Sequence, residues 1–482
     1  MAHAQSTPQD LRLGLAHWMQ RVLYELDKAS QDFAPDPVHD LRVAIRRCRS
    51  MAEGFRGVDP DPAWNKMRKA SKAVFSRLGE LRDVQVMLEW VQKLGALNDK
   101  TAVALLAGFR TREQILKADA AEAMQEFDAK QWKSWIKLLP ERAARIPLGS
   151  PVFEYLALER WEQAHDLHRR ALRNRSKVAF HALRIGLKKL RYLVENFLPH
   201  HHQQWGDDLE ELQDLLGEVH DLDVLWNTAL KSGVFASQET RARWQTTIAK
   251  ERQQRIQLYR NKMVGKDSLW PIWRKALPQG EQLQVAILAK LKTWASFLDP
   301  DPKHAGRVAR LALQLYDGII ANGVWNPNGE NPRTLLQAAA LSHEVGLAKT
   351  AKGHQKESAR LIRKVDTPLG WAAEDLQMTA LVARYHRGPL PKQKSLSRLP
   401  RERWRLTREL AGILRLADAL DAAHDGSIQR IQVRKTAEIL VLDAVGYNAD
   451  NPMAERIAAA RHLLETALGL PIWVQASAPP NL

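Results

Sequence analysis

VHDLRVAIRRCRSMAEGF (38–55) returns as FHALRIGLKKLRYLVENF (180–197). In register, His39 meets His181, Leu41 meets Leu183, Arg42 meets Arg184, Arg46 meets Lys188, Arg47 meets Lys189, Arg49 meets Arg191 and Phe55 meets Phe197. Further blocks follow at nearly the same distance, LGELRDVQVML (78–88) and LGEVHDLDVLW (216–226). They match Gly79 with Gly217, Glu80 with Glu218, Asp83 with Asp221 and Val86 with Val224. Two ordered blocks recurring together mark an internal duplication. Around them, apolar residues fall at spacings of three and four among abundant Ala, Leu, Arg, Glu and Gln, which is a helical pattern. The first part of the chain therefore reads as a duplicated helical unit.

On a helix turning ~100° per residue, His39, Arg42, Arg46 and Arg49 fall within an arc of ~80°. Leu41, Ile45, Cys48, Met51, Ala52 and Phe55 take the opposite side. The second copy repeats this, with His181, Arg184, Lys188 and Arg191 opposite Leu183, Leu187, Leu190, Leu193, Val194 and Phe197. Like charges at i,i+3 and i,i+4 repel within a helix, and relief comes only where Glu53 and its match Glu195 close the stripe. A one-sided basic row suits a line of phosphates, since Arg grips two oxygens at once and Lys acts as a point charge. His39 and His181 suit helix capping or packing as well as phosphate contact. Asp83 and Asp221 read as carboxylates that pair with the signature helix and orient it. Between the blocks the copies differ: Lys66, Arg68, Lys69, Lys72 and Arg77 in the first, Asp207, Asp208, Glu210 and Glu211 in the second.

The chain has 482 residues, enough for two or three domains. Hydrophobic residues make up 45% and charged residues 26%, which excludes a disordered chain. The excess of 72 Lys+Arg over 55 Asp+Glu gives +17, which favours a polyanion such as nucleic acid, polyphosphate or an anionic membrane. The single Cys48 excludes an internal disulfide or a multi-Cys zinc site and fits a reducing compartment. MAHAQSTPQDLRLGLAHW lacks a signal-peptide pattern, and no apolar run could span a bilayer. The expectation is a soluble, cytoplasmic protein with no membrane partner. Apart from Tyr192, the signature helices interleave no aromatic for base stacking, and they carry no Asn or Gln on the basic face, which argues against nucleic acid.

The pair H-x-L-R-[VI]-x-x-[RK]-[RK]-x-R and L-G-E-x-x-D-x-x-V, present twice, resembles the CHAD family, the conserved histidine α-helical domain. The resemblance covers residues 8–275, as repeats of about 8–145 and 155–275. It implies two four-helix halves that bind inorganic polyphosphate along a basic channel, and association with polyphosphate granules. It assigns the contact to His39, Arg42, Arg46, Arg47, Arg49, His181, Arg184, Lys188, Lys189 and Arg191. Gln85 stands where the second copy has Asp223.

Pro278 to Gly280 follow Trp270 and Trp273 and precede a change of character, so the main boundary falls near 280. Residues 283–430 carry histidines in helical context, among them His354 and His386. The order His304, His343-Glu344, Asp418 follows the H…HD…D layout of HD-type phosphohydrolases. Histidines and carboxylates on converging helices can ligate a divalent metal such as Mg or Mn. His386, read alone, is a structural histidine. The stretch 283–478 resembles the C-terminal helical domain of the exopolyphosphatase/guanosine pentaphosphate phosphohydrolase family. Two departures weigh against catalysis. Glu344 stands where HD enzymes have Asp, and the Gly-rich phosphate loops of that family's N-terminal domains are absent. Neither a G-x-S-x-G nor a Walker A motif occurs. Ile428 to Val433, Ile439 to Leu442 and Ile472 to Val474 read as strands.

The expected fold is mainly all-α: a duplicated four-helix-bundle repeat, an HD-like helical domain over 283–430, and a small α/β appendage over 431–478. The expected function is polyphosphate binding, with no cofactor required and no catalytic residue assigned. The alternatives are a metal-dependent phosphohydrolase using His304, His343, Glu344 and Asp418, and a nucleic-acid binder.

Overall fold

Each apolar stripe becomes a buried helix face. A computed structural model of the chain describes residues 14–32, 35–96, 99–326, 331–448 and 453–477. Residues 8–13 of the first repeat, the N-terminal signal reading and residue 478 lie outside the described residues. The chain divides into two compact units, Met1–Gly280 and Glu281–Leu482.

The first repeat comprises α1 (Leu15–Asp32), α2 (Pro35–Phe55), α3 (Ala63–Ala70), α4 (Lys72–Leu94), α5 (Lys100–Gln125) and α6 (Ala129–Ala143). The second comprises α7 (Pro151–Asn174), α8 (Lys177–Phe197), α9 (Pro199–Lys231), α10 (Gln238–Met263) and α11 (Leu269–Lys275). Four long helices recur in each, and the continuous α9 replaces the α3–α4 pair that breaks at Ser71. The added short helix closes back on its own repeat, α6 against α1 and α3, α11 against α7 and α10. Pro140 lies inside α6. The loop between α2 and α3 is tied to α6 by Asp59, which accepts from Arg142 Nε and Nη2 at 2.6 Å each and from Trp64 Nε1 at 2.8 Å.

The repeats join along α2–α8 and α4–α9. Leu41, Ile45, Cys48, Met51, Ala52 and Phe55 are buried, as are Leu183, Leu187, Leu190, Leu193, Val194 and Phe197. Phe55 meets Phe197 edge-on at 5.1 Å, and Phe197 stacks on Phe153 at 4.2 Å. Gly54 makes this crossing possible, because a Cβ there would lie 2.3 Å from the Phe197 ring. Along the other seam, Met87, Trp90 and Phe109 share one core with Leu222, Leu225, Trp244 and Ile248.

The second unit holds α12 (Gly280–Ser296), α13 (Pro302–Ala321), α14 (Pro332–Ser342), α15 (His354–Ile362), α16 (Ala373–Arg384), α17 (Gln393–Leu396) and α18 (Glu402–Leu420). It ends in β1 (Arg430–Thr436), β2 (Ile439–Val445), α19 (Met453–Leu468) and β3 (Ile472–Ser477). β1 and β2 pair antiparallel, from Arg430 opposite Val445 to Thr436 opposite Ile439. β3 joins β2 in parallel, from Leu440 beside Ile472 to Val445 beside Ser477. α19 packs on α18 and β1 on α13, so the sheet is built onto the helical layer. The protein is mainly all-α with one small sheet among the described residues. No described helix is long and apolar enough to cross a membrane.

Gly54→Ala should therefore destabilise the protein by about 1–3 kcal/mol, the cost of overpacking a filled core. Gly79 has open space around it, and Gly79→Ala should instead gain up to about 1 kcal/mol from helix propensity. Denaturant midpoints of the two variants check the contrast.

Candidate functional site

The packing that buries one face of α2 and α8 turns their basic faces toward each other. Tyr192 marks the meeting point, with Arg46 of α2 5.8 Å and Lys188 of α8 5.6 Å from its ring centre. Arg42 and Arg184 complete a four-cation group, and each has a buried Nε without a hydrogen-bond partner. Across from them lie Asp83 of α4 and Asp221 of α9. Gly79 and Gly217 sit one turn earlier on the same helix faces, with open space where a Cβ would be.

The closeness of these groups shifts their titration. Desolvation, then Arg184, Arg46 and Arg42, bring the Lys188 ammonium down to about 8. Desolvation lifts the Asp221 carboxyl to about 6, with Asp83 and Glu218 pushing the same way against Arg184 and Arg82. Asp83 is raised as well, again by desolvation, against the pull of Arg42, Arg184 and Lys188. Its own side chain stays exposed to water, so the group is crowded by neighbouring charges yet reached by solvent. Neither aspartate closes an ion pair among the described residues. The pairing expected of them is absent, although they do face the signature helices.

A second constellation lies in the C-terminal unit, built from helix ends. His304 opens α13 beside its N-cap Asp301, and His343 and Glu344 follow α14. His354 begins α15, His386 follows α16, and Asp418 and Asp421 lie at the end of α18. His304, His343, Glu344 and Asp418 are all buried, with ligand atoms within 4.8 Å of one another. His304 Nδ1 lies 2.7 Å from Asp421 Oδ2 and its Nε2 lies 3.3 Å from Asp418 Oδ1. Burial opposes a charged His304 ring, but these hydrogen bonds outweigh it and push its pKa up to about 9. His343 Nδ1 bonds to the Ala340 carbonyl at 2.7 Å, leaving Nε2 toward Asp418 Oδ1 at 3.5 Å. Arg387 Nε and Arg456 Nη2 each lie 3.2 Å from Asp418 Oδ2.

Residues 14–230 match the family model described as CHAD domain. The N-terminal unit is a CHAD domain. Residues 291–456 match Ppx/GppA phosphatase, domain III. A curated relative, guanosine-5'-triphosphate,3'-diphosphate pyrophosphatase of Pseudoalteromonas translucida (strain TAC 125), is 35% identical over 92 residues, 19% of this chain. The chain spans 18% of that relative's length. Among solved structures, the CHAD domain from the plant Ricinus communis is 20% identical, with a TM-score of 0.42, covering 51% of this chain and 88% of that one.

Within the CHAD domain, three of the ten expected contacts are engaged in holding the fold. Arg47 is 7% exposed, with Nη2 2.6 Å from Glu195 Oε1 and Nη1 3.3 Å from Asn196 Oδ1. It points into the α2–α8 seam because it lies one residue past the cleft-facing Arg46. Arg49 donates to the Arg68 carbonyl and to Ser71 Oγ at 3.2 Å, at the α3–α4 break. Arg191, its match, pairs with Glu210 of α9 at 2.8 Å. Lys189, the match of Arg47, is exposed. His39 and His181 are exposed and lie inside their helices, where Ser176 caps α8. His181 Nδ1 lies 3.3 Å from His220 Nδ1. The Gln85/Asp223 difference preserves one role. Each bonds the next helix of its repeat, Gln85 to Glu113 at 3.2 Å and Asp223 to Arg252 at 3.1 Å.

Sequence reasoning missed Arg82 and His220, which stand in register immediately before Asp83 and Asp221. It also missed Asp421, one helical turn after Asp418. The matched basic position and the D-x-x-D spacing were the available signals.

Arg47→Ala should cost about 3–5 kcal/mol, because it leaves the Glu195 charge buried and alone. Arg46→Ala, at the open cleft, should stay within about 0.5 kcal/mol of wild type. Urea unfolding of both variants measures the difference.

Proposed function

We propose that this protein binds inorganic polyphosphate in the cleft between α2 and α8, with the C-terminal unit as an accessory binding or signalling module. The observation that carries this reading is that Arg42, Arg46, Arg184 and Lys188, two from each repeat, crowd together beside Tyr192, which Arg46 and Lys188 face, with no ion pair to any of the four among the described residues. Unpaired cations in a crowded cleft keep their attraction for a line of phosphates. The open space over Gly79 and Gly217 leaves room for the chain, where alanine would have favoured the helix. Recruitment to polyphosphate granules follows from the same binding.

Changing Arg42, Arg46, Arg184 and Lys188 to Glu should abolish binding of defined-length polyphosphate while circular dichroism stays unchanged; persistent affinity would place the ligand elsewhere. With about four phosphates engaged, raising salt from 50 to 200 mM should weaken wild-type binding roughly fifty-fold, by counterion release. Duplex DNA at matched charge and salt should compete poorly.

Binding should also weaken as pH rises. Below about 6 the Asp221 carboxyl is neutral and Lys188 is charged, so the cleft is most positive. Asp221 gains its negative charge through pH 6, and Lys188 loses its positive charge through pH 8. The internal phosphates of a long chain stay ionised throughout. Calorimetric titrations from pH 5 to 9 should give steadily falling affinity, and Asp221→Asn should flatten the lower step.

A second reading, favoured by one observation, is a metal-dependent phosphohydrolase in the C-terminal unit. His343 Nε2 and Glu344 Oε2 are buried and without a hydrogen-bond partner, which suits a pair of metal ligands better than a closed core. His304, His343, Glu344 and Asp418 would hold the ion, which would act as a Lewis acid on a phosphoryl oxygen. Arg387 and Arg456 flank the site and are suited to steady phosphate oxygens.

A further inference from the structure

The helices that face the signature pair carry opposite charges at matched places. With Gly79 set against Gly217, Lys72 of α4 meets Glu210 of α9, Lys69 of α3 meets Asp207, and Lys66 meets Gln204. All six side chains are exposed, so packing does not dictate the reversal.

Helical spacing carries the lysines to the cleft. Asp83 and Gly79 lie on its side of α4, and Ser76 and Lys72 repeat that face at steps of three and four. Lys69 and Lys66 follow at steps of three along α3, across the break at Ser71. From Asp83 to Lys66 the row covers roughly 25 Å at the helical rise. The basic face of α2 ends against the same break. Arg49 donates to the Arg68 carbonyl and to Ser71 Oγ, and its guanidinium lies 5.0 Å from the centre of the Phe75 ring. The arginine row of α2 and the lysine row of α3 and α4 therefore meet there.

The two repeats finish their basic rows differently. Arg191, the match of Arg49, is neutralised by Glu210 at 2.8 Å. In the first repeat a lysine takes the place of that glutamate, and Arg49 is held by a carbonyl, a hydroxyl and an aromatic face, none of which carries charge. The acids nearest in sequence are already engaged: Asp59 and Asp61 by Arg142, Glu53 by Arg56 and Arg68, Glu80 by Arg77. Lys66, Lys69 and Lys72 have no ion pair among the described residues.

We propose that a polyphosphate chain longer than the cleft leaves it on one side, over the first repeat, with its next phosphates on Lys72, Lys69 and Lys66. This rests on the cleft reading above and adds to it a direction of exit and a preference for long chains. On the second repeat the matched path meets Glu210 and Asp207, which repel phosphate. The residue types fit the division. Lysine is a hydrated point charge on a mobile stem and holds a flexible chain without fixing its geometry. The guanidinium fork, which orients a phosphate, predominates in the cleft.

The test compares tripolyphosphate, short enough to stay within the cleft, with long-chain polyphosphate by calorimetric titration of the full chain. Lys66→Gln/Lys69→Gln/Lys72→Gln should leave tripolyphosphate affinity unchanged and weaken long-chain binding roughly tenfold, as the loss of three exposed ion pairs. The slope of log affinity against log salt for the long chain should shrink by about 2. Lys130→Gln/Lys133→Gln/Lys137→Gln, the same loss of charge at exposed positions of α6, should change neither ligand's binding, and urea midpoints report the fold of both variants. Long-chain affinity that the α3–α4 variant leaves unmoved, or a loss shared equally by tripolyphosphate or by the α6 variant, overturns the one-sided exit. The cleft reading then still stands on the separate reversal of Arg42, Arg46, Arg184 and Lys188. Wild type that binds neither ligand overturns both.

Discussion

Two helices with the same sign of charge repel when laid side by side, and the CHAD domain depends on what overrides that repulsion. The apolar faces of α2 and α8 do so, together with the Arg47–Glu195 pair and the Phe55, Phe153 and Phe197 rings. Glu53 works in the other direction, reaching Arg160 of α7 at 3.7 Å besides Arg68 at 2.6 Å. The glutamate that ends each basic stripe therefore holds the opposite repeat. With the seam closed by these contacts, the remaining cations need no internal partner and stay available in the cleft.

Much of this was legible in the sequence because duplication carries its own control. A charge kept at matched positions in two copies is weighed twice, and the apolar stripe names the buried side. The amphipathic reading separated Arg42 and Arg46 from the core correctly. It failed at Arg47, where a one-residue step around the helix leads into the seam, and where the partner Glu195 lies 148 positions later in the chain. Nothing local marks such a pair. The partners of Arg49 and Arg191 were hidden for a related reason: a carbonyl at the α3–α4 break and Glu210 on α9 are set by how the following helix returns.

The C-terminal unit was legible in order and illegible in geometry. The succession His304, His343, Glu344, Asp418 could be read from spacing. That each imidazole spends its Nδ1 proton on a fixed acceptor could not, since it depends on helix ends that sequence patterns place poorly. His386 looked like an ordinary structural histidine when taken alone. Burial pushes its ring well below the usual histidine value, and its facing neighbour His354 comes from a different helix. The strands were found within a few residues, because alternation and apolar runs survive in a short edge sheet.

The exchange of charges between the copies has a bearing on how the duplication became permanent. Each half keeps an ionic group whose counterpart was left on its twin: an arginine on the first, a carboxylate on the second. Lys189, at the position that matches Arg47, looks outward instead, so the seam joins two halves that are alike in pattern through contacts that are not interchangeable.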